Sequence, residues 1–343
     1  MSDTGDTRLA ILGCGAIAEQ LYLPAMRHLP GARITLLVDG DADRRGGLAS
    51  RFDVAHTHDT IDQCYDLFDA AIVALPPALR QPACIKLLTQ RKAALVEPPI
   101  AFSVTEFDDM IRASEQTNTL LAVAQIRRFL RAHRFARFLI ESGTWGRIES
   151  FDFRNGYIDS GPIGSDLSFR KEIAGGGVLI DMGVHVLDGL LHWLGDFSDV
   201  EYFDDAAGGV EANCLLNLRL RNGVSGVVEL SRTRQLRNTA IIRCGRGSVE
   251  IGLDANNSRL TFANQPYALG GLVGDLREPG QDQDDLGLTR ALVEDFVAAI
   301  RNGRKVEADA PSARSTIGLI DICYRRRRPL QSTWAYQEAT GNA

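Results

Sequence analysis

The chain predicts two folded parts of different class: an α/β part built on a doubly wound parallel sheet, then an α+β part with a mostly antiparallel sheet. Three observations carry this reading. Strand and helix patterns alternate through about residue 124; a glycine-rich turn joins the first strand to the first helix; and from about residue 125 short strands separated by hairpin turns take over. At 343 residues the chain accommodates two domains, drawn at 1–124 and 125–343.

The elements of the first part follow in order. Arg8–Leu12 is a short apolar strand and a helix runs on through about His28. Strand Arg33–Val38 leads to a helix near Asp43–Phe52. Asp69–Ala74 reads as the third parallel strand, since Ala71-Ile72-Val73-Ala74 is a continuous apolar run of the kind buried on both faces. A helix near Leu79–Gln90, strand Ala93–Val96, a helix near Val104–Glu115 and strand Leu120–Ala124 complete the unit. Its ligand crevice is expected at the carboxyl ends of the strands.

In the second part a helix is expected over Leu130–Ser142, then strands at Ile148–Asn155, Cys214–Arg221, Val224–Ser231, Thr239–Cys244 and Gly247–Gly252. Arg221-Asn222-Gly223 is an Asn-Gly hairpin turn, and Arg246-Gly247 reads as another. Helices are expected at Val178–Leu194 and Thr289–Asn302. Ala263–Gly287, rich in Gly, Asp, Gln and Pro, reads as a mobile loop over a site or an interface.

The turn after the first strand is Gly13-Cys14-Gly15-Ala16-Ile17-Ala18, a G-x-G-x-x-A pattern. The first Gly permits the tight turn, the second removes a Cβ from the path of a pyrophosphate, and the third small residue lets helix and strand pack closely. The helix N-terminus at Ala16 and Ile17 would offer backbone N–H groups and its positive dipole end to phosphates. The second strand ends in Asp39, 26 residues after Gly13. That is close to the offset of about 20 at which an acid takes the ribose hydroxyls of a Rossmann-bound dinucleotide. Asp39-Gly40-Asp41 is also turn-forming in its own right, and both readings stand together. An acid here repels a 2′-phosphate and favours NAD, while Arg44 and Arg45 just downstream keep NADP open.

Composition narrows the remaining classes. With 45% apolar and 24% charged residues and a net charge of −6, the chain has no electrostatic footprint for nucleic acid or an anionic membrane. The basic run Arg325–Arg328 reads as a solvated helix end or a subunit contact rather than a polyanion site. No apolar segment has the length of a membrane span, and Met1–Asp6 is too polar for a signal peptide. Six cysteines lack C-x-x-C pairing or metal spacing, so reduced thiols in a cytoplasmic protein without a metal site are expected.

The second chemical constellation is Gly175-Gly176-Gly177-Val178-Leu179-Ile180-Asp181-Met182-Gly183-Val184-His185-Val186-Leu187-Asp188. Asp181 and His185, four apart, share one helix face. His exchanges protons near neutral pH, and a neighbouring carboxylate would set its tautomer and favour its protonated form. The Gly triplet lets the backbone approach another chain segment or a ligand. Asp188, a turn further on, orients His185 or caps a contact. The plainer alternative is a carboxylate at a helix N-terminus beside a packed His.

These motifs together resemble the Gfo/Idh/MocA oxidoreductases, the family of glucose–fructose oxidoreductase and inositol dehydrogenase. The resemblance covers residues 8 to 325 and is most specific in the Gly triplet followed by D-x-G-x-H-x-x-D. Ala71–Pro77 is similar to the family's strand and proline-bearing loop over the nicotinamide, which implies cofactor contacts at Leu75 and Pro76. Glu97-Pro98-Pro99 is similar to the Glu-Lys-Pro signature, implying contacts at Glu97 and Pro98. Trp145–Ile148 and Asp295–Gly303 match as well. The resemblance implies NAD or NADP, with NAD slightly favoured, a small polar substrate such as a sugar, inositol or nucleotide sugar, and a homodimer or homotetramer through residues 148–252.

Two departures stand out. The family's Lys is Pro98, which has neither a donor nor a titratable group, and the position where relatives often carry His is Arg80. If catalysis persists, His185 and Asp181 must take over the proton chemistry. Arg128, Tyr157 and Arg170 are the further candidate substrate donors, each weighed against a surface ion pair or plain packing. The alternatives are an imine reductase of the same fold and a cofactor-binding protein without redox turnover.

Overall fold

The computed structural model describes residues 5–27, 29–158, 174–206, 209–254, 258–262, 271–273 and 284–330. Its contacts divide the chain into two units: Met1–Arg134 with Leu276–Ile317, and Phe135–Asp275 with Gly318–Ala343.

The first unit is built on a six-stranded parallel sheet of β1 (Thr7–Leu12), β2 (Ala32–Val38), β3 (His56–His58), β4 (Ala70–Val73), β5 (Ala93–Val96) and β6 (Leu121–Val123), in the order β3-β2-β1-β4-β5-β6. The strand order therefore reverses between β1 and β4, where a doubly wound sheet opens its ligand crevice. β4 and β5 are buried along their whole length, as their unbroken apolar runs require. The strand at residues 70–73 is the fourth in chain order, not the third. β3 precedes it as a three-residue edge strand whose His-Thr-His sequence carries no apolar pattern.

The helix after the Gly loop contains a π-helical turn, Ala18–Tyr22, before α1 (Leu23–Met26). α2 (Ala42–Phe52) begins on Asp41, whose carboxylate accepts from Arg44 N at 3.0 Å. α3 (Pro77–Thr89) follows Pro76, and α4 (Val104–Thr117) is capped by Ser103, which accepts from Glu106 N at 3.2 Å. A 3₁₀ turn (Ile126–Phe129) leads to α5 (Arg131–Glu141).

The second unit holds β7 (Ile148–Gly156), α6 (Val178–Asp181) and α7 (Gly183–Leu194). Then come β8 (Phe197–Asp204), β9 (Asn213–Leu220), β10 (Ser225–Ser231), β11 (Thr239–Cys244), β12 (Gly247–Gly252), β13 (Ser258–Phe262), β14 (Gly271–Val273) and, last in the chain, β15 (Arg328–Pro329). The order is β14-β13-β12-β11-β7-β10-β9-β8-β15. Only β7–β10 and β8–β15 pair parallel, so the sheet is mixed and mostly antiparallel. Both expected hairpins form: Gly223, at φ +86°, turns β9 into β10, and Gly245-Arg246 joins β11 to β12. Burial alternates along the strands, with Phe151, Phe153, Leu216, Leu218, Val228, Leu230, Ala240 and Ile242 on the covered face. α7 lies on that face, its Trp193 ring 5.8 Å from that of Phe153.

The sequence reading differs from the structure elsewhere too. The helix expected at Val178–Leu194 is divided at Met182. β8, β13, β15 and the helix α9 (Ala310–Arg325) lie outside the expected elements. The loop drawn over Ala263–Gly287 contains β14 and the first turn of α8 (Asp285–Asn302); its other residues, save Asp284, lie outside those described.

α8 also bears on the domain boundary. Its Leu288, Leu292, Val293, Phe296 and Val297 join Leu9, Ile11, Tyr22, Leu23 and Met26 in one core, so residues 276–317 group with the first unit rather than with all of 125–343. Periodicity reveals the apolar stripe of such a helix but not the surface that it covers. Among the described residues no helix is long and apolar enough to cross a membrane, and no group of three or more His, Cys, Asp or Glu could hold a metal ion.

Candidate functional site: a dinucleotide cradle and an Asp–His helix

The cradle is assembled at the carboxyl ends of β1, β2, β4 and β5. Gly13 has φ +97° and donates from its N–H to Val38 O at 2.8 Å. A Cβ on Gly13 would stand 2.6 Å from Ala74 O and 2.9 Å from Leu75 N, so only glycine fits where the chain crosses the ends of β2 and β4. Gly15 is different: a Cβ there meets nothing within 4 Å. The fold itself does not demand glycine at that position, and the open space above it suits a pyrophosphate. Ala16 and Ile17, exposed, begin the helix beside it.

Asp39 serves the loop directly. Its carboxylate accepts from Cys14 N at 2.7 Å and from Asp41 N at 2.8 Å, which ties the Gly turn to the end of β2 and forms the expected turn at once. Two carboxylate oxygens have about four acceptor sites, so two remain to receive ribose hydroxyls. Arg45 donates to Asp39 O at 2.9 Å, and exposed Arg44 pairs with Asp41 at 3.5 Å. The buried Cys14 thiol is pushed up to about 12 by burial and by Asp39, which makes it a small apolar filler rather than a nucleophile.

The loops after β4 and β5 complete the cradle. Leu75 is half-buried, Pro76 exposed, Glu97 half-buried and Pro98 buried. Arg80, 5% exposed, donates to Leu75 O at 2.7 Å, Glu97 O at 2.9 Å and Pro99 O at 2.7 Å. The Tyr22 hydroxyl donates to the Glu97 carboxylate. Burial pushes the Glu97 carboxyl above the usual carboxylate range, against the opposing pull of Tyr22 and Arg80. Arg128 is 4% exposed, and its guanidinium donates to Glu307 O at 3.0 Å and Ser312 Oγ at 2.9 Å. These bonds make it a strut within the first unit that fastens the returning segment.

In the second unit the Gly triplet answers a packing demand. A Cβ on Gly176 would lie 2.0 Å from the Tyr324 hydroxyl, and one on Gly177 would lie 1.9 Å from Glu211 O. Of the two partners the triplet could admit, the described contacts are with a chain segment. Glu211 crosses the start of α6: its Oε1 accepts from Gly177 N at 3.0 Å and Leu179 N at 3.1 Å, and its carbonyl accepts from Val178 N at 2.9 Å. The buried carboxylate is held in turn by the Tyr324 hydroxyl at 2.8 Å and Arg327 at 3.2 Å, and Arg327 also meets Asp204 at 2.6 Å. Of the basic run, Arg325, Arg326 and Arg328 pair with Asp321, Asp199 and Glu201.

Asp181 ends α6 with its side chain 61% exposed and ion-paired to Arg232. Met182, between α6 and α7, donates from its N–H to Val178 O at 3.0 Å and keeps right-handed helical angles, φ −81° and ψ −42°. Asp181, His185 and Asp188 therefore follow one helix face from exposed through half-buried to buried. Tyr157, just beyond β7, is 42% exposed, so it is not a packed core residue, and its N–H donates to Ser231 O at 3.1 Å. Arg170 lies outside the described residues. Sequence reasoning missed Glu211, Arg232 and Tyr324, which no local motif marks, and noted Arg80 only as a departure.

Comparison with known proteins agrees with both halves. Residues 7–125 match the oxidoreductase family with an NAD-binding Rossmann fold, and residues 133–250 match the GFO/IDH/MocA C-terminal domain. The dTDP-3,4-didehydro-2,6-dideoxy-alpha-D-glucose 3-reductase of Saccharopolyspora spinosa is 25% identical over 322 residues, 91% of this chain and 93% of its own. The 1,5-anhydro-D-fructose reductase of Ensifer adhaerens is 26% identical over 226 residues, 63% of this chain and 67% of its own. Levoglucosan dehydrogenase, solved with NADH and levoglucosan, shares the fold with a TM-score of 0.83 at 22% identity, covering 94% of this chain and 97% of that one. A cradle shaped for a dinucleotide and a mixed-sheet second part, each matching one half of a single family in that family's order, make the chain a member of the Gfo/Idh/MocA oxidoreductases, dependent on NAD or NADP.

Proposed function

We propose that the protein interconverts a carbonyl and an alcohol on a sugar or nucleotide-linked sugar, with His185 as the general acid–base. The observation that carries this reading is the helix bearing Asp181 and His185. It is started by a buried carboxylate that accepts two of its backbone N–H groups, and it presents Asp181 and half-buried His185 on one face. Support for the substrate class comes from relatives whose names are those of sugar reductases.

Bound NAD or NADP supplies or accepts the hydride. His185 gives a proton to the substrate oxygen in reduction and takes it in oxidation. Arg232 ion-pairs with the Asp181 carboxylate, which accepts a substrate hydroxyl in this reading. Pro98 can neither donate nor titrate, so that position contributes no proton transfer. Tyr157, exposed beyond β7, is a further substrate donor in this reading.

The test is single-turnover hydride transfer by His185→Ala across keto-sugars, nucleotide keto-sugars and cyclic imines. Turnover should fall by roughly 10²- to 10⁴-fold while NADH affinity holds. Unchanged hydride transfer in folded variant protein ends the acid–base assignment. Reduction of imines but of no carbonyl replaces the substrate class.

A further inference from the structure

Arg80 is out of place as a purely structural residue. A buried guanidinium carries a desolvation cost that an apolar side chain of similar volume would not, and burial accordingly draws its pKa down. Its partners explain its presence. The loops after β4 and β5 read Leu75-Pro76-Pro77 and Glu97-Pro98-Pro99. Each is one residue followed by two prolines, and a proline has no backbone N–H to give.

Glu97 N–H goes to Val73 O at 3.1 Å, but the proline pairs that follow Leu75 and Glu97 have no donors of their own, so there the backbone is held through carbonyls. Arg80 supplies the missing donors. Its Nε bonds the carbonyl that precedes the first proline pair, at 2.7 Å; its Nη1 bonds the carbonyl that precedes the second pair, at 2.9 Å, and the one that closes it, at 2.7 Å. The planar guanidinium fixes these three bonds in one geometry. Tyr22 adds a second tie, from the π-helical turn after the Gly loop to the Glu97 carboxylate.

The sheet order says what this ring of contacts faces. The Gly turn leaves β1 and Asp39 ends β2, so the adenosine half of a dinucleotide belongs on the β2 side of the reversal. The other half must then run over the ends of β4 and β5, where the two proline loops stand. We propose that Arg80, with Tyr22 and Glu97, is a positioning residue for the nicotinamide half of the cofactor, replacing in these two loops the backbone donors that their prolines lack. The inference rests on the dinucleotide cradle, not on His185.

The experiment compares NADH with ADP-ribose, which has no nicotinamide, by calorimetric titration of wild type, Arg80→Met, Arg80→Lys and Tyr22→Phe, with melting temperatures alongside. Arg80→Met should weaken NADH by roughly 10- to 100-fold, the loss expected for charge-assisted bonds that hold its site, and leave ADP-ribose within about twofold. Arg80→Lys, a point charge without the fork, should fall between, and Tyr22→Phe should lose less than Arg80→Met. Equal weakening of both ligands, or of neither, overturns the proposal, because a general loss of fold does not distinguish the two halves of the cofactor. If Arg80→Met does not fold, the same ratio in Arg80→Lys and Tyr22→Phe decides. ADP-ribose that fails to bind wild type removes the cradle on which the inference stands.

Discussion

Gly13 and Gly15 belong to one motif, yet the structure assigns them opposite reasons to be glycine. At Gly13 a side chain would have to adopt φ +97° and bring its Cβ within 2.6 Å of Ala74 O, a backbone atom that cannot swing away. The backbone conformation alone costs about 1–3 kcal/mol for a non-glycine residue, and the contact adds to it, so Gly13→Ala should destabilise the first unit by at least about 2 kcal/mol. At Gly15 no protein atom lies within 4 Å of a Cβ and φ is not in the left-handed region. Gly15→Ala should therefore leave stability unchanged or raise it by about 0.4–1 kcal/mol, by reducing the freedom of the unfolded chain. Gly15→Val fills the space that a pyrophosphate would enter. Losing one or two charge-assisted bonds of about 1.5–3 kcal/mol each raises the Kd for NADH by roughly 10- to 10⁴-fold. Denaturant unfolding and NADH fluorescence titration on the three variants form the assay. Wild-type NADH affinity in Gly15→Val would refute the placement of the pyrophosphate. A Gly13→Ala protein as stable as wild type would refute the steric argument.

Four other outcomes are expected. Asp39→Asn should weaken NADH and move the preference toward NADPH by roughly tenfold, since it removes the charge that repels a 2′-phosphate; Asp39→Ala should weaken both nucleotides, because Cys14 N and Asp41 N lose their acceptor. Glu211→Ala should destabilise the second unit by about 3–5 kcal/mol in urea unfolding, because Arg327 and the first N–H groups of α6 lose a buried partner, whereas Glu211→Gln keeps an acceptor and should cost less. Glu97 is raised by burial, so its folded pKa lies above its unfolded one: the penalty of ionising it is present at neutral pH and relieved as pH falls through the folded pKa. Glu97→Gln should thus raise the melting temperature at about pH 8 and lose that gain on approaching about pH 4. Finally, the face of the second sheet opposite Phe151 and Phe153 carries Asp152, Arg154 and Glu229, ion-paired with one another and with Arg237, beside half-buried Val227 and Ile241. We expect this face, within residues 148–252, to join subunits; light scattering that returns the mass of a single chain excludes it.

Local chemistry was legible along the chain. The apolar run Ala71-Ile72-Val73 reads as a buried strand, Asn222-Gly223 as a hairpin turn, and the G-x-G-x-x-A turn between strand and helix as a Rossmann loop. These signals are short-range, carried by residues within one or two elements of each other. Tertiary structure alone decided what lay across long separations. Polar His56–His58 became a strand because β2 offered it an edge, and α8 joined the first unit because its apolar stripe fits the core beside β1. Arg128, a candidate substrate donor by position, bonds Glu307 and Ser312, 179 and 184 residues away. The Gly triplet could be recognised, but not that Glu211 and Tyr324 crowd against it, nor that Arg80 bridges two proline loops. A side chain's type limits which bonds it can make; which partner it finds depends on the packing of segments that no sequence window contains.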